Sequence, residues 1–243
     1  MTCLPEKTDK KLGLLIDLNI CVGCHACAVN CKEWNTSGIT GPMEDLKPYG
    51  DDPSGVWYNR IHSYEFKKEG ETDRTVYFPK SCLHCDDAPC VTVCPTGASL
   101  KRSEDGIVLV NPDVCIGCKL CSWACPYGAR EYDTTAGVMQ KCTLCVDKIY
   151  DENIQEEHRV PSCVSTCPAG ARHFGDFADP DSNVSILAAE GDARDLFPEM
   201  ETKPVNQYLA PKKRERKENK KLTEKVSTVK EALTKWAMLD FTG

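Results

Sequence analysis

Sixteen of the seventeen cysteines in this 243-residue chain fall into four runs, and the spacing inside them limits the fold more than any other feature. Cys21, Cys24, Cys27 and Cys31 form C-x2-C-x2-C-x3-C, and Cys115, Cys118, Cys121 and Cys125 repeat it. Cys82, Cys85, Cys90 and Cys94 form C-x2-C-x4-C-x3-C, and Cys142, Cys145, Cys163 and Cys167 form C-x2-C-x17-C-x3-C. Pro95, Pro126 and Pro168 each follow the last cysteine of a run, and only Cys3 stands outside the pattern.

The first spacing, closed by proline, is that of bacterial cubane iron–sulfur loops. Three thiolates on a tight loop wrap one cluster, with backbone N–H groups turned towards its sulfides. The chain then enters a short helix whose cysteine faces a neighbouring cluster. Proline presets the backbone that leaves the site. Small residues between the ligands (Gly23, Ala26, Gly117 and Ala124) are expected to leave room for the cubane. Structural zinc asks for four ligands around one tetrahedral ion, usually from two separated C-x2-C pairs. Three cysteines within seven residues, repeated, suit a larger cluster better. Disulfides need an oxidising compartment, and the first residues, MTCLPEKTDKK, show neither an apolar signal core nor twin arginines. No stretch approaches the roughly 18 apolar residues of a membrane span. Aromatics make up only 7% of the chain, so a purely apolar core would be thin. Clusters would fill part of it, and metal binding would then be part of the folding free energy.

Paired ferredoxin runs exchange their fourth cysteines. The second and third runs are joined by a turn and the strand-like GIVLVNPDV, the ferredoxin half-repeat, so they are expected to pair. That gives Cys82, Cys85 and Cys90 with Cys125, and Cys115, Cys118 and Cys121 with Cys94. The first and fourth runs then pair around them: Cys21, Cys24 and Cys27 with Cys167, and Cys142, Cys145 and Cys163 with Cys31. The expected fold is α+β, two nested bacterial-ferredoxin-like modules binding four cubane clusters, with an extended C-terminal tail. The outer module spans 1–78 plus 136–180, with an insertion at 36–75; the inner module spans 79–135; a docking tail covers 181–243. Strands are expected at 12–18, 56–64, 76–80, 106–110 and 138–140, with a turn near 69–73. Helices are expected over CAVNCKEWN and 181–195, the latter capped by Ser182 or Asn183. Residues 198–225 are polar and carry little fold information. Val226, Val229, Leu233, Trp236 and Ala237 share one helical face.

No Gly-rich phosphate loop, dinucleotide fingerprint or Ser/His/Asp arrangement is present, and four thiolates per cubane leave no iron open to substrate. The chemistry that remains is one-electron relay, with no catalytic residue. A net charge of −7 argues against nucleic acid, although residues 211–230 hold nine Lys or Arg against three Glu, which suits a docking segment. His25 and His84 lie inside cluster loops as non-ligands, and Trp34 and Trp123 are expected to pack on the clusters. Lys119 and Arg130 either raise a nearby potential or are simply solvated. Cys3 is expected as a free thiol. A free-standing polyferredoxin and a zinc-stapled interaction protein are the competing classes; the long tail favours membership of a complex over the free carrier, and a zinc protein would show neither visible absorbance nor an EPR signal on reduction.

The segments CVGCHACAVNCKEWN, CLHCDDAPCVTVCPTGA, CIGCKLCSWACPYGAR, KCTLC and CVSTCPAGARHFGD resemble the iron–sulfur subunits of the dimethyl-sulfoxide-reductase family of molybdenum or tungsten oxidoreductases, over roughly residues 10–180. Some nitrate-reductase relatives carry tryptophan and a 3Fe–4S cluster where this chain has Cys118, so the resemblance implies four 4Fe–4S clusters. It also implies a non-catalytic electron-transfer subunit that links a large molybdopterin catalytic subunit to a polytopic membrane anchor with a quinone site. The implied electron path runs from the first-run cluster through the fourth-run and second-run clusters to the third-run cluster. CKEWN, the insertion DDPSGVWYNRIHSYE and GDFADPDS look most like the sulfite-oxidising branch. Sulfoxide, polysulfide, thiosulfate, tetrathionate and arsenate respiration are the alternatives. The implied location is cytoplasmic, peripheral on the inner face of the cytoplasmic membrane through the partners.

Overall fold

The run LGLLID is apolar on both faces, as a strand covered on both sides must be. It forms β1 (Leu12–Asp17). Leu14 and Ile16 enter the main core, while Leu15 on the opposite face packs with Val184 and Leu209. The computed structural model describes residues 3–36, 56–66 and 74–212. Most of the insertion, the turn expected at 69–73, the basic segment beyond Lys212 and the helical face at 226–239 lie outside the described residues.

After the first cysteine loop the chain forms α1 (Ala26–Asn35), then an antiparallel ribbon of β2 (Asn59–Phe66) and β3 (Arg74–Ser81), with Asn59 opposite Ser81. The second loop leads into α2 (Pro89–Thr92), which starts on a proline whose fixed φ suits a first helical turn. A small hairpin of β4 (Ser99–Lys101) and β5 (Val108–Val110) carries the chain to the third loop and α3 (Leu120–Trp123). A second hairpin, β6 (Glu131–Asp133) and β7 (Val138–Gln140), leads to the fourth loop, α4 (Val146–Ile149) and α5 (Ser162–Ser165). Next come β8 (Arg172–Asp176) and α6 (Asn183–Gly191), the latter capped by Ser182, whose Oγ accepts the Ser185 N–H. Last are β9 (Ala193–Arg194) and β10 (Gln207–Leu209).

Four strands make one sheet in the order β8-β1-β10-β9. β1 runs antiparallel to β8, with Leu12 opposite Asp176, so the strand entering the first loop is bonded to the strand leaving the fourth. On its other edge β1 pairs in parallel with β10. This corrects the expected tail. The compact unit runs to Pro211, and residues 181–211 belong to it. Thr202, Val205, Asn206, Tyr208 and Leu209 are buried. Asn206 accepts the Leu14 N–H at Oδ1 (2.7 Å) and donates from Nδ2 to the Cys82 carbonyl (2.9 Å). A three-residue strand has no periodicity to read; its neighbours create it.

The main core cluster joins Leu14, Ile16, Ile61, Leu83, Ile107 and Leu144 to seven of the cysteines.

Candidate iron–sulfur centres

All four loops share one backbone device. The residue before the second cysteine is left-handed in each: Gly23 (φ 66°), His84 (φ 49°), Gly117 (φ 65°) and Leu144 (φ 54°). That turn folds the loop back on itself. Glycine adopts it freely, whereas other residues are held there only by their surroundings. Both glycines also face close protein neighbours. A Cβ at Gly23 would run into the Tyr77 ring, and one at Gly117 into the Gly137 carbonyl oxygen. His84 and Leu144 are instead fully buried. His84 Nδ1 accepts the Val108 N–H (3.1 Å). Burial first, then the charges of Lys141, Lys101 and Arg130, hold its pKa well below the usual value, so the ring is neutral.

The fold gathers the thiols into four sets. Cys21, Cys24 and Cys27 line one space with Cys167. Cys115, Cys118 and Cys121 line another with Cys94, and Cys82, Cys85 and Cys90 a third with Cys125. Cys31 stands among Cys142, Cys163 and Cys145, whose charges, after burial, push its pKa well up. Asn35 Nδ2 reaches both Cys31 Sγ (3.7 Å) and Cys145 Sγ (3.5 Å). No two of the described cysteines form a disulfide, and Cys3 is exposed. Among the described residues no group of three or more His, Cys, Asp or Glu could hold a single metal ion. Thiols spread around three similar spaces suit a body larger than one ion.

Two matches to the 4Fe-4S dicluster domain cover residues 20–98 and 74–177. The chain is 58% identical over 203 residues to a sulfite dehydrogenase subunit of Allochromatium vinosum, covering 84% of each protein. It is 37% identical to a tetrathionate reductase subunit of Salmonella typhimurium, over 82% of this chain and 72% of that one. It is 39% identical to a subunit of the anaerobic dimethyl sulfoxide reductase of Escherichia coli, over 73% and 79%. The chain is an iron–sulfur subunit of the dimethyl-sulfoxide-reductase family. Its role is electron transfer rather than catalysis, and its two dicluster matches and seventeen cysteines fit four 4Fe–4S clusters.

In this iron–sulfur subunit each set has a neighbour within electrostatic reach. Cys163 feels Cys27 of the first set, Cys142 feels Cys82, and Cys121 feels Cys90. Burial, then like charge, pushes the Cys142 thiol up to about 12; burial also drives Cys163 to about 11 and Cys85 to about 12. Crowded thiolates of this kind need a cationic centre among them, and binding one would release their protons. N–H groups already point at sulfur: Ser99 N donates to Cys94 Sγ (3.3 Å), Met139 N to Cys115 Sγ (3.4 Å), Ser162 N to Cys145 Sγ (3.4 Å) and Ala171 N to Cys167 Sγ (3.3 Å). Such bonds favour the thiolate and tune a bound cluster.

Of the accessory residues, Arg130 is buried rather than solvated, and its Nη2 donates to Cys90 Sγ (2.9 Å). Lys119 lies 4.2 Å over the Tyr132 ring. His25 lines the first space. The expected packing of Trp34 and Trp123 on the clusters is corrected. Trp34 Nε1 donates to Asp147 (2.8 Å) with Lys148 over its ring, and Trp123 is 80% exposed. Sequence reasoning missed Arg172, which is buried among Cys163, Cys27 and Cys31. The Arg at the end of CPAGAR was its only signal.

Proposed function

We propose that this chain carries electrons one at a time through four 4Fe–4S clusters, from a molybdopterin catalytic subunit to a quinone-reacting membrane anchor, with oxidation of sulfite to sulfate as the partner's reaction. Proposed ligands are Cys21, Cys24, Cys27 and Cys167; Cys142, Cys145, Cys163 and Cys31; Cys82, Cys85, Cys90 and Cys125; and Cys115, Cys118, Cys121 and Cys94. Four iron–sulfur clusters would supply the redox chemistry, and the chain's own part is to hold, space and insulate them.

One observation carries the reading: the exposed run cysteines belong to two of the thiol sets, while those of the other two are buried except for the half-buried Cys125. Cys24 and Cys118 are exposed, while Cys31, Cys82, Cys85, Cys90, Cys142, Cys145 and Cys163 are buried. Each open end is rimmed by apolar side chains. Ile20 and Val22 flank the first, and Ile116, Leu120 and Trp123 flank the last. Exposed apolar rims at electron-exchange points fit partner docking. The 58% identity to a sulfite dehydrogenase subunit supports the substrate.

Among the described residues no helix is long and apolar enough to cross a membrane, which fits a peripheral subunit held by its partners on the inner face of the cytoplasmic membrane. Purifying the chain with its partners tests this. A complex containing a molybdenum subunit and a membrane protein, reducing quinone with sulfite, is expected; a chain that purifies alone as a monomer overturns the complex. For the ligands, Cys31→Ser and Cys167→Ser should perturb different EPR signals, Cys31 the fourth-run cluster and Cys167 the first-run cluster. The reverse assignment overturns the exchange.

A further inference from the structure

Two segments of the sequence repeat a hexapeptide with one variable position. Cys125 to Arg130 reads CPYGAR and Cys167 to Arg172 reads CPAGAR, each placing arginine five residues after the closing cysteine of a run. The other two runs differ at that position: CPTGAS ends on Ser99 and CKEWNT on Thr36. Each expected module therefore receives one arginine of this kind.

Both arginines are 4% exposed. Arg130 lines two of the spaces at once, that of Cys82, Cys85, Cys90 and Cys125 and that of Cys94, Cys115, Cys118 and Cys121. Its Nη2 donates to Cys90 Sγ (2.9 Å) and Ser99 Oγ (2.7 Å). Arg172 lines the first space and also faces Cys163 and Cys31 of the neighbouring set. Its Nη2 donates to Asn59 Oδ1 (2.8 Å). Neither oxygen anchor carries a charge. Arg130 Nε and Nη1 and Arg172 Nη1 are buried N–H groups with no acceptor among the described residues, which is costly unless a further acceptor is at hand.

We propose that Arg130 and Arg172 are charge bridges, each a single fixed guanidinium shared by the two clusters of its module, raising the electron affinity of both together. The proposal rests on the ligand sets put forward above. A guanidinium keeps its proton at every working pH, so it moves no proton as electrons pass. When one electron leaves one member of the pair and arrives on the other, the attraction given up at the first is regained at the second. The bridge therefore lifts both levels while leaving the step between them nearly level. Burial keeps salt from screening it. Potentials of such clusters respond to charge and hydrogen bonds of this kind.

The test is an EPR-monitored redox titration of the full chain in its cluster-loaded form, comparing the parent with Arg130→Gln, Arg130→Lys, Arg172→Gln and Arg172→Lys. Iron content is measured first. A parent without four clusters' worth of iron overturns the ligand reading itself, separately from the bridge. With iron intact, Arg130→Gln should disfavour reduction of both inner clusters by about tenfold or more, about 59 mV for a one-electron couple, and leave the outer pair unmoved. Arg172→Gln should do the converse. The lysine variants keep the charge and should recover most of the shift. A shift confined to one cluster, no shift, or an equal shift in all four overturns the proposal. If a glutamine variant loses iron, the matching lysine variant decides: a fully loaded lysine protein in which reduction of both clusters is disfavoured tenfold, about 59 mV, shows that charge is not the agent.

Discussion

The loops at the open ends and the loops in the sealed middle use the same left-handed turn for different purposes. At the ends the turn residue is Gly23 or Gly117, where a side chain would strike the Tyr77 ring or the Gly137 carbonyl. In the middle it is His84 or Leu144, each of which fills core space that no other residue occupies. The surface form lets neighbours close over the loop while leaving Cys24 and Cys118 exposed. The core form turns the loop into part of the hydrophobic interior. A second segment completes the seal: Val205 N and Asn206 N both donate to the Leu83 carbonyl (3.0 and 3.1 Å), and Asp86 N and Asp87 N donate to the Lys203 and Thr202 carbonyls. Burial in this chain is thus built per loop, and it separates electron exchange with partners from relay between clusters.

The largest effect should come from removing a ligand in the sealed part. Cys142→Ser leaves three buried thiols without a complete site. Structural metal sites contribute on the order of 10 kcal/mol to folding, so this variant should lose its cluster and fail to reach a stable fold. Cys118→Ser, at an open end, should keep the body folded and the other three clusters loaded. Iron per chain and the thermal unfolding midpoint read the contrast. Equal losses in both variants would break the distinction between ends and middle.

Next in size are the turn residues. Leu144→Ala should cost about 2–5 kcal/mol, the usual range for emptying a buried leucine site. Gly117→Ala pits a left-handed alanine, about 1–2 kcal/mol, against a backbone oxygen that cannot rotate away. It should also destabilise, with the damage confined to the third-run cluster. A Gly117→Ala protein as stable as the parent would show that the turn at Gly137 yields, and that the surface loop is softer than its geometry implies.

What was legible in the sequence follows the same line. Cluster chemistry fixes ligand spacing locally, so the four runs could be read directly. Residues whose role depends on distant neighbours could not be read. Arg172 matters because Cys27 and Cys163 both lie beside it, and nothing near it in sequence says so. β10 exists because β1 offers it a parallel edge. Trp123 sits in a helix of four residues, too short for periodicity to choose a face, and it points outward.

Asn206 offers a smaller and more local test. Its side chain joins the Leu14 N–H to the Cys82 carbonyl, tying the central strand to the sealed second loop. Asn206→Ala strands both buried groups, at about 1–3 kcal/mol each when unsatisfied. Thermal unfolding should shift by the equivalent of about 2 kcal/mol or more, and the second-run cluster should be the first to lose iron under chelation. Loss beginning at the first-run cluster instead would mean that residues 202–206 are not what seals the middle.

The smallest effect on stability should come from Trp123, and that is what makes it informative. A side chain 80% exposed contributes little to the fold, so Trp123→Ala should leave stability within about 0.5 kcal/mol and leave all four clusters loaded. Large exposed apolar groups of this kind are the ones that dominate binding when a partner covers them. Association with the partner at that end should therefore weaken by more than about 1 kcal/mol, with electron delivery falling in proportion to the bound fraction. Trp34→Ala is the control, because that indole is tied to Asp147 and Lys148 of its own chain. It should lower stability slightly and leave partner exchange at the third-run end unchanged. If the two tryptophan variants behave alike in a binding assay, the rim around Cys118 is ordinary surface, and the distinction between the open ends and the sealed middle reduces to one of burial alone.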